Sequence, residues 1–138
     1  MLRAMGIKLV AFDGTESSRK AIDKAVELIG PQDELLLLMV VPSGGIAELA
    51  DLPPDMTVAS ARQLVNAELD ALKGRGVRAI GLVSEGDVAE QILKTSSEMG
   101  VDIIVIGHHG VSKVGRFAVA SVAEHVAKHA DRPVLMVS

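Results

Sequence analysis

The sequence predicts an α/β domain, with an open parallel sheet and helices on both of its faces. Five short apolar runs alternate with four amphipathic helical patterns along the chain, and such alternation implies parallel strands joined by right-handed crossovers. The runs at residues 34–41 and 102–107 are apolar at successive positions rather than at alternate ones, as in strands covered on both faces. The length of 138 residues fits a single domain, which we expect to span residues 1–138.

The strands are predicted from apolar runs that stop at turn-forming residues. Leucine is not a strong strand former, so the run ELLLLMVV at residues 34–41 also fits a buried helix. Its short length and the break PSGG that follows it favour a strand. The five predicted strands occupy residues 8–12, 34–41, 78–84, 102–107 and 134–138.

The helices are predicted where apolar side chains recur at intervals of three and four residues. The third helical pattern opens with Asp87 and Glu90, and the fourth opens with Ser121 and Glu124. Both pairs have the spacing of a capping box, which satisfies free amides at a helix start. The four predicted helices occupy residues 17–29, 55–73, 87–99 and 121–130.

Composition argues against several classes of function. Phe12 and Phe117 are the only aromatic residues and the net charge is -4, which opposes nucleic-acid binding through base stacking or phosphate contacts. The absence of cysteine removes disulfides, thiol catalysis and thiolate metal sites. No apolar run approaches the roughly 20 residues that cross a bilayer, and the first residues lack the pattern of a secretory signal. We therefore expect no membrane association and a cytoplasmic location.

A ligand is expected beyond the carboxyl ends of the strands, where open parallel sheets bind their ligands. Asp13 follows the first predicted strand, and the sequence GHHG at residues 107–110 follows the fourth. Glycines let backbone amides approach an anion closely. The loop also leads to a helix N-terminus, whose free amides and dipole suit a phosphate. Lys113 and Arg116 in the loop add positive charge.

Other interpretations of these residues stay open. The loop has the GxxxxG spacing of a P-loop at residues 110–115, but Arg116 and Phe117 stand where Lys-Ser/Thr is required. Glycines at the end of a strand also serve as plain turns. His125 and His129 share one helix face, as zinc ligands do, but no third ligand is evident. Histidines near a helix C-terminus also interact favourably with its dipole.

Two stretches of the chain resemble the universal stress protein family. LVAFDGTESSRKAIDKAVEL is similar to the first strand and helix of that family, and DIIVIGHHG…SVAEHVAKHADRPVLMVS is similar to its C-terminal portion. The nucleotide-binding branch of the family carries the motif G-x2-G-x9-G-[S/T]. In this sequence Gly107, Gly110 and Ser121 match the motif, and Ala120 replaces its third glycine.

The resemblance implies a five-stranded sheet of order 3-2-1-4-5 and a homodimer paired through the C-terminal strand. It implies ATP as the ligand, with Mg²⁺ reached by Asp13 through the nucleotide, and AMP or ADP as alternatives. Asp13 would also contact the ribose or adenine, and Val41 would lie near the adenine. The amides of 109–110 and the Ser121 hydroxyl would hold phosphates. The implied nucleotide-binding residues are Phe12, Asp13, Val41, Gly107, His108, His109, Gly110, Arg116, Ala120, Ser121 and Val122.

Three functions are compared on this basis. The first is an ATP-binding regulatory or stress-response protein, which changes its affinity for a protein partner, still unknown, with nucleotide occupancy. The second is a dimeric interaction module of the same fold that binds no nucleotide. The third, a slow ATPase, is least favoured because the Lys-Ser/Thr pair and a second carboxylate for Mg²⁺ beyond Asp13 are not evident. We therefore expect a binding protein rather than an enzyme.

Overall fold

The protein forms an open parallel sheet of five strands in the order β3-β2-β1-β4-β5, which confirms the α/β class and the strand order that the resemblance implies. The computed structural model describes residues 6–42, 57–110 and 119–138. The strands are β1 (Ile7–Ala11), β2 (Glu34–Pro42), β3 (Ala79–Gly86), β4 (Ile103–Gly107) and β5 (Val134–Val137). The helices are α1 (Glu16–Leu28), α2 (Val58–Gly74), α3 (Val88–Met99) and α4 (Val119–His129). No helix among these residues is long and apolar enough to cross a bilayer.

The sheet separates two hydrophobic layers. Helices α1 and α2 pack on one face and helices α3 and α4 on the other. Strand β2 is buried at every position from 35 to 41, and its side chains alternate between the two layers. This is why its sequence is apolar throughout: each fully buried leucine contributes about 1.5–3 kcal/mol relative to an exposed one.

The starts of the first three helices are fixed by polar side chains. Thr15 precedes α1 and Thr57 precedes α2, and each accepts a hydrogen bond from an amide in the first turn. Because Thr57 is extended, the predicted start of α2 at residue 55 is wrong. The carboxylate of Asp87 accepts a hydrogen bond from the Glu90 amide at 3.0 Å, so the predicted helix start at Asp87 is confirmed.

Helix α4 begins earlier than the sequence suggests. Its described part starts at Val119, whose amide donates to the carbonyl of Gly110 at 3.0 Å. Ser121 is therefore the third residue of the helix rather than its cap, and the predicted capping box with Glu124 is wrong. The Gly110 carbonyl, nine residues before Val119 in the sequence, accepts from the start of this helix, an arrangement that spacing alone does not reveal.

A buried ion pair lies at the end of the sheet away from the helix N-termini. The Nζ atom of Lys8 lies 3.3 Å from a carboxylate oxygen of Asp33 and 3.1 Å from one of Asp102. The side chain of Asp33 is almost fully buried, whereas that of Asp102 is about half exposed. The Asp33 carboxylate also accepts hydrogen bonds from the amides of Gly6 and Gly30, so it joins β1 to the turn that precedes β2.

Candidate functional site

A cleft opens at the carboxyl ends of β1 and β4, on the face covered by α3 and α4. The cleft encloses about 440 Å³ of empty space when its open mouth is counted. Most of its lining is apolar, as in sites that bury the body of a ligand and orient it with few polar groups. The lining residues are Ala11, Phe12, Asp13, Ser18, Leu38, Val40, Val88, Ile92, Ile106, Gly107, Val119 and Val122.

The cleft brings together residues that are far apart in the sequence. Strands β1 and β4 are adjacent and parallel, with Val10 opposite Val105. Asp13, which follows β1, and Gly107, which ends β4, therefore line the same cleft. Phe12 and Val122 line it as well, so four residues predicted as nucleotide contacts meet at this one place.

The carboxylate of Asp13 is held in a turn that leads into α1. Its Oδ1 atom accepts a hydrogen bond from the Thr15 amide at 3.0 Å and another from the Thr15 hydroxyl at 2.5 Å. The Asp13 amide donates to Ser18 Oγ at 3.3 Å. No hydrogen bond from the described part of the chain reaches Oδ2. Asp13 thus orders the turn through Oδ1 alone.

Val41 lies differently from what its predicted contact suggests. Its side chain belongs to the layer covered by α1 and α2, whereas Val40 lines the cleft on the opposite face. The reason is the alternation of side chains along a strand. A contact from Val41 to a ligand would therefore come from its backbone, and such a contact stays a prediction.

The two glycines of the loop after β4 serve different purposes. A Cβ atom on Gly107 would lie 2.9 Å from the carbonyl carbon and oxygen of Ser17, so glycine is needed there for close packing against α1. Gly110 has a φ of +81° with open space around it, so glycine is needed there for its backbone conformation. Arg116, together with Lys113 of the same loop, lies outside the described residues, and its predicted contact with phosphate stays a prediction.

The two histidines of this loop take different directions. The His108 amide donates to the Val137 carbonyl at 2.9 Å, and its Nε2 atom lies 3.4 Å from a carboxylate oxygen of Glu124 on α4. The exposed His109 donates its amide to Ser17 Oγ at 3.3 Å. A phosphate held by the His109 amide would have to replace this long hydrogen bond.

Ala120 and Ser121 occupy the first turn of α4. Ala120 is the second residue of the described helix and is partly exposed, and Ser121 is the third and is exposed. The helical backbone at Ala120 needs no positive φ, so alanine in place of the motif's third glycine introduces no backbone strain. Compared with glycine, alanine at this position adds only a methyl group, and the backbone amides of the turn keep their direction.

The paired histidines on α4 form no recognisable metal centre. The rings of His125 and His129 stack with centroids 4.2 Å apart, and His129 Nδ1 lies 2.9 Å from the His125 carbonyl oxygen. Within residues 6–42, 57–110 and 119–138, no three histidine, aspartate or glutamate side chains are grouped as metal ligands.

Sequence reasoning missed the wall of the cleft that β2 and α3 provide. Leu38 and Val40 project from the α3/α4 face of β2, and Val88 and Ile92 face them from the first turns of α3. Both pairs carry a signal in the sequence: a spacing of two in a strand and of four in a helix put residues on one face. What the sequence lacks is the information that these two faces meet beside Asp13.

The sheet is open and doubly wound, and the cleft lies where the connections after β1 and β4 leave opposite faces of it. These features define the α/β class that binds ligands at a topological switch point. The model of the Universal stress protein family matches residues 7–138, and the chain belongs to this family. The chain is 31% identical to the universal stress protein YxiE of Bacillus subtilis, with 94% of this chain and 96% of the relative aligned.

Two solved structures show the same fold. A universal stress protein family protein from Arabidopsis thaliana, with AMP bound, has a TM-score of 0.73 at 20% identity and covers 96% of this chain and 90% of its own. The universal stress protein from Archaeoglobus fulgidus in complex with dAMP has a TM-score of 0.71 at 18% identity and covers 98% of both chains.

Proposed function

We propose that this protein binds an adenine nucleotide in the cleft. In the cytoplasm, the proposed location of the protein, this nucleotide is ATP with Mg²⁺. Its binding changes the affinity of the protein for a protein partner during a stress response. The observation that carries the proposal is the position of the cleft. It lies at the carboxyl ends of adjacent strands β1 and β4, with Asp13 and Gly107 at its edge. Relatives of the same fold with AMP and dAMP bound support the choice of an adenine nucleotide.

The chemistry of the cleft suits a molecule with an apolar body and an anionic end. Asp13 Oδ2 is the ligand atom we assign to the ribose or to Mg²⁺, because carboxylate oxygens suit both. The phosphates would lie beside Gly110 and the first turn of α4, where backbone amides and the helix dipole favour negative charge. The apolar side chains of Val40 and Val88 are left to cover the base.

The experiment is a calorimetric titration of purified protein with ATP, ADP and AMP, each with and without Mg²⁺. Acid extraction and chromatography of untreated protein would show in addition whether it carries nucleotide from the cell. We expect binding by the natural protein, and equal or tighter binding by Ala120→Gly, because that change removes only a methyl group. Absence of ATP, ADP and AMP binding in both forms would end the proposal.

The cleft supports binding rather than turnover. Among the described residues that line it, Asp13 is the one carboxylate, whereas phosphoryl transfer needs further groups that position water and metal. We expect single-turnover ATP hydrolysis no faster than in buffer. Hydrolysis that is faster and is lost in Asp13→Ala would identify an ATPase instead.

The second candidate is a dimeric interaction module without nucleotide, for which the edge of the sheet offers a pairing surface. Among the described strands, β5 lies at the edge of the sheet beside β4, and Met136 in it is 41% exposed. Edge strands of this kind tend to pair with another chain, and we propose a homodimer through β5. Met136→Lys should give monomers by light scattering, and it tests the interface better than a change at Leu135, which packs on the core. An unchanged mass would refute this interface.

A further inference from the structure

One buried polar group in the protein has no partner. Among the described residues, the Ser84 hydroxyl is the single buried side-chain oxygen or nitrogen without a hydrogen bond. Buried polar groups are nearly always hydrogen-bonded, since leaving one unpaired destabilises the fold. A buried hydroxyl without a hydrogen bond, such as that of Ser84, is therefore unusual.

Ser84 lies immediately behind one wall of the cleft. It is the partner of Val40 in the parallel pairing of β2 and β3, so the two side chains project from the same face of the sheet. Val40 lines the cleft, and so does Val88, the first residue of α3, four positions after Ser84. Ser84 does not itself line the cleft; it lies next to Val40 of the cleft wall, on the side of β2 away from Asp13 and Gly107.

The two ends of the cleft differ in chemistry. The end at β1 and β4 carries the Asp13 carboxylate and the amides near α4, which suit sugar, metal and phosphate. The end at β2 and α3 is lined by Val40, Val88 and Ile92, which offer no hydrogen bonds from their side chains. A ligand whose anionic part lies at the first end extends its flat, apolar part toward the second, beside which the pairing with Val40 places Ser84.

We propose that Ser84 recognises the hydrogen-bonding edge of the base, and this inference rests on the proposed function. A base inserted beside Val40 and Val88 brings its edge toward the Ser84 hydroxyl. A hydroxyl both donates and accepts, so it matches the adjacent ring nitrogen and exocyclic amine of adenine. Ser84 is then a specificity-determining residue.

The test compares AMP with purine riboside 5′-monophosphate, which lacks the exocyclic amine, in four forms of the protein. These are the natural protein, Ser84→Ala, Ser84→Thr and Ser97→Ala. Thr keeps the hydroxyl and suits a strand, and Ser97 is an exposed serine on α3 that serves as the matched control. Affinities are measured by calorimetry, and thermal unfolding is recorded without ligand.

We expect Ser84→Ala to weaken AMP binding about threefold to tenfold, the effect of one lost hydrogen bond, and to reduce the preference for AMP over the purine analogue. Ser84→Thr and Ser97→Ala should bind as the natural protein does. The midpoint of thermal unfolding of Ser84→Ala should be unchanged or higher, because the substitution removes an unpaired buried group.

Two results would overturn the inference alone. They are an unchanged AMP affinity in Ser84→Ala, or an equal loss of affinity for AMP and for the purine analogue. A lower unfolding midpoint with unchanged binding would show that Ser84 is structural. If the natural protein bound neither compound, both the proposed function and this inference would be refuted. That result is seen without any variant, so it can be told apart from the results above.

Discussion

The buried carboxylate of Asp33 provides the sharpest test of the energetics of this fold. Its side chain is 1% exposed, and it accepts hydrogen bonds from the amides of Gly30 at 2.7 Å and Gly6 at 3.1 Å. The bond from Gly30, together with that from Gly6 and the charge of Lys8, holds the pKa of Asp33 below its usual value, although burial acts in the opposite direction. We consider Asp33→Asn, which keeps the shape of the side chain and removes its charge.

The magnitude follows from these contacts. Removing one partner of a buried ion pair costs about 3–5 kcal/mol. The lower end applies, because Lys8 keeps Asp102 at 3.1 Å and asparagine still accepts one hydrogen bond. A loss of about 3 kcal/mol lowers the midpoint of thermal unfolding by roughly 9 °C for a domain of this size.

The effect should also depend on pH. Because the pKa of Asp33 is lower in the folded state, its charge stabilises the fold above the ordinary pKa of an aspartate, and this stabilisation is lost as the pH falls through the folded pKa. The difference in stability between the natural protein and Asp33→Asn should therefore be full at pH 7 and should shrink in acid. Urea unfolding followed by circular dichroism at several pH values measures it.

Asp131→Asn is the matched control for this experiment. The carboxylate of Asp131 accepts a hydrogen bond from Nε of Arg132 at 2.9 Å. This contact holds the pKa of Asp131 below its usual value. Its side chain, however, is 76% exposed, and exposed ion pairs contribute little to stability. Equal losses in the two variants, or a pH-independent loss in Asp33→Asn, would refute the argument from burial.

Two further substitutions test close packing and backbone capping. Gly107→Ala should destabilise the fold by about 1–3 kcal/mol in urea unfolding, because its methyl group would meet the backbone of Ser17; natural stability would show that α1 moves away freely. Arg132→Met should cost about 2–3 kcal/mol because Nη1 of Arg132 donates to the carbonyls of Ser96 and Val101, each at 2.8 Å. A negligible loss would mean that water satisfies both carbonyls.

The sequence was sufficient for the fold because the apolar pattern is explicit. The run at 35–41 is buried on both faces in the structure, and the alternation of strands and helices leaves a parallel sheet as the natural arrangement. The helix at Asp87 was also predictable, because its cap is local in sequence. The start of α4 was not, because the carbonyl that meets its first amide belongs to Gly110, on the far side of the loop.

The candidate site was predictable only in part. Asp13 and Gly107 follow strands that the resemblance places side by side, and the structure brings them together in the cleft. The wall formed by Val40 and Val88 depends on how α3 lies over β2, which is a matter of packing rather than of spacing. The role of Gly107 differs from the one suggested by its motif for the same reason: its neighbour is Ser17, 90 positions away in the sequence.

The departure of Ala120 from the family motif can now be weighed against the rest of the cleft. Glycine at that position would be indispensable if the backbone needed a positive φ, but α4 is already helical there. The alanine therefore leaves the amides of the first turn in place. The apolar wall at Val40 and Val88 does not depend on the motif at all, and burial of a flat base there contributes in proportion to its area. Nucleotide affinity should then be more sensitive to this wall than to Ala120, so Val88→Ala, at a partly buried position of the wall, should weaken AMP binding more than Ala120→Gly strengthens it.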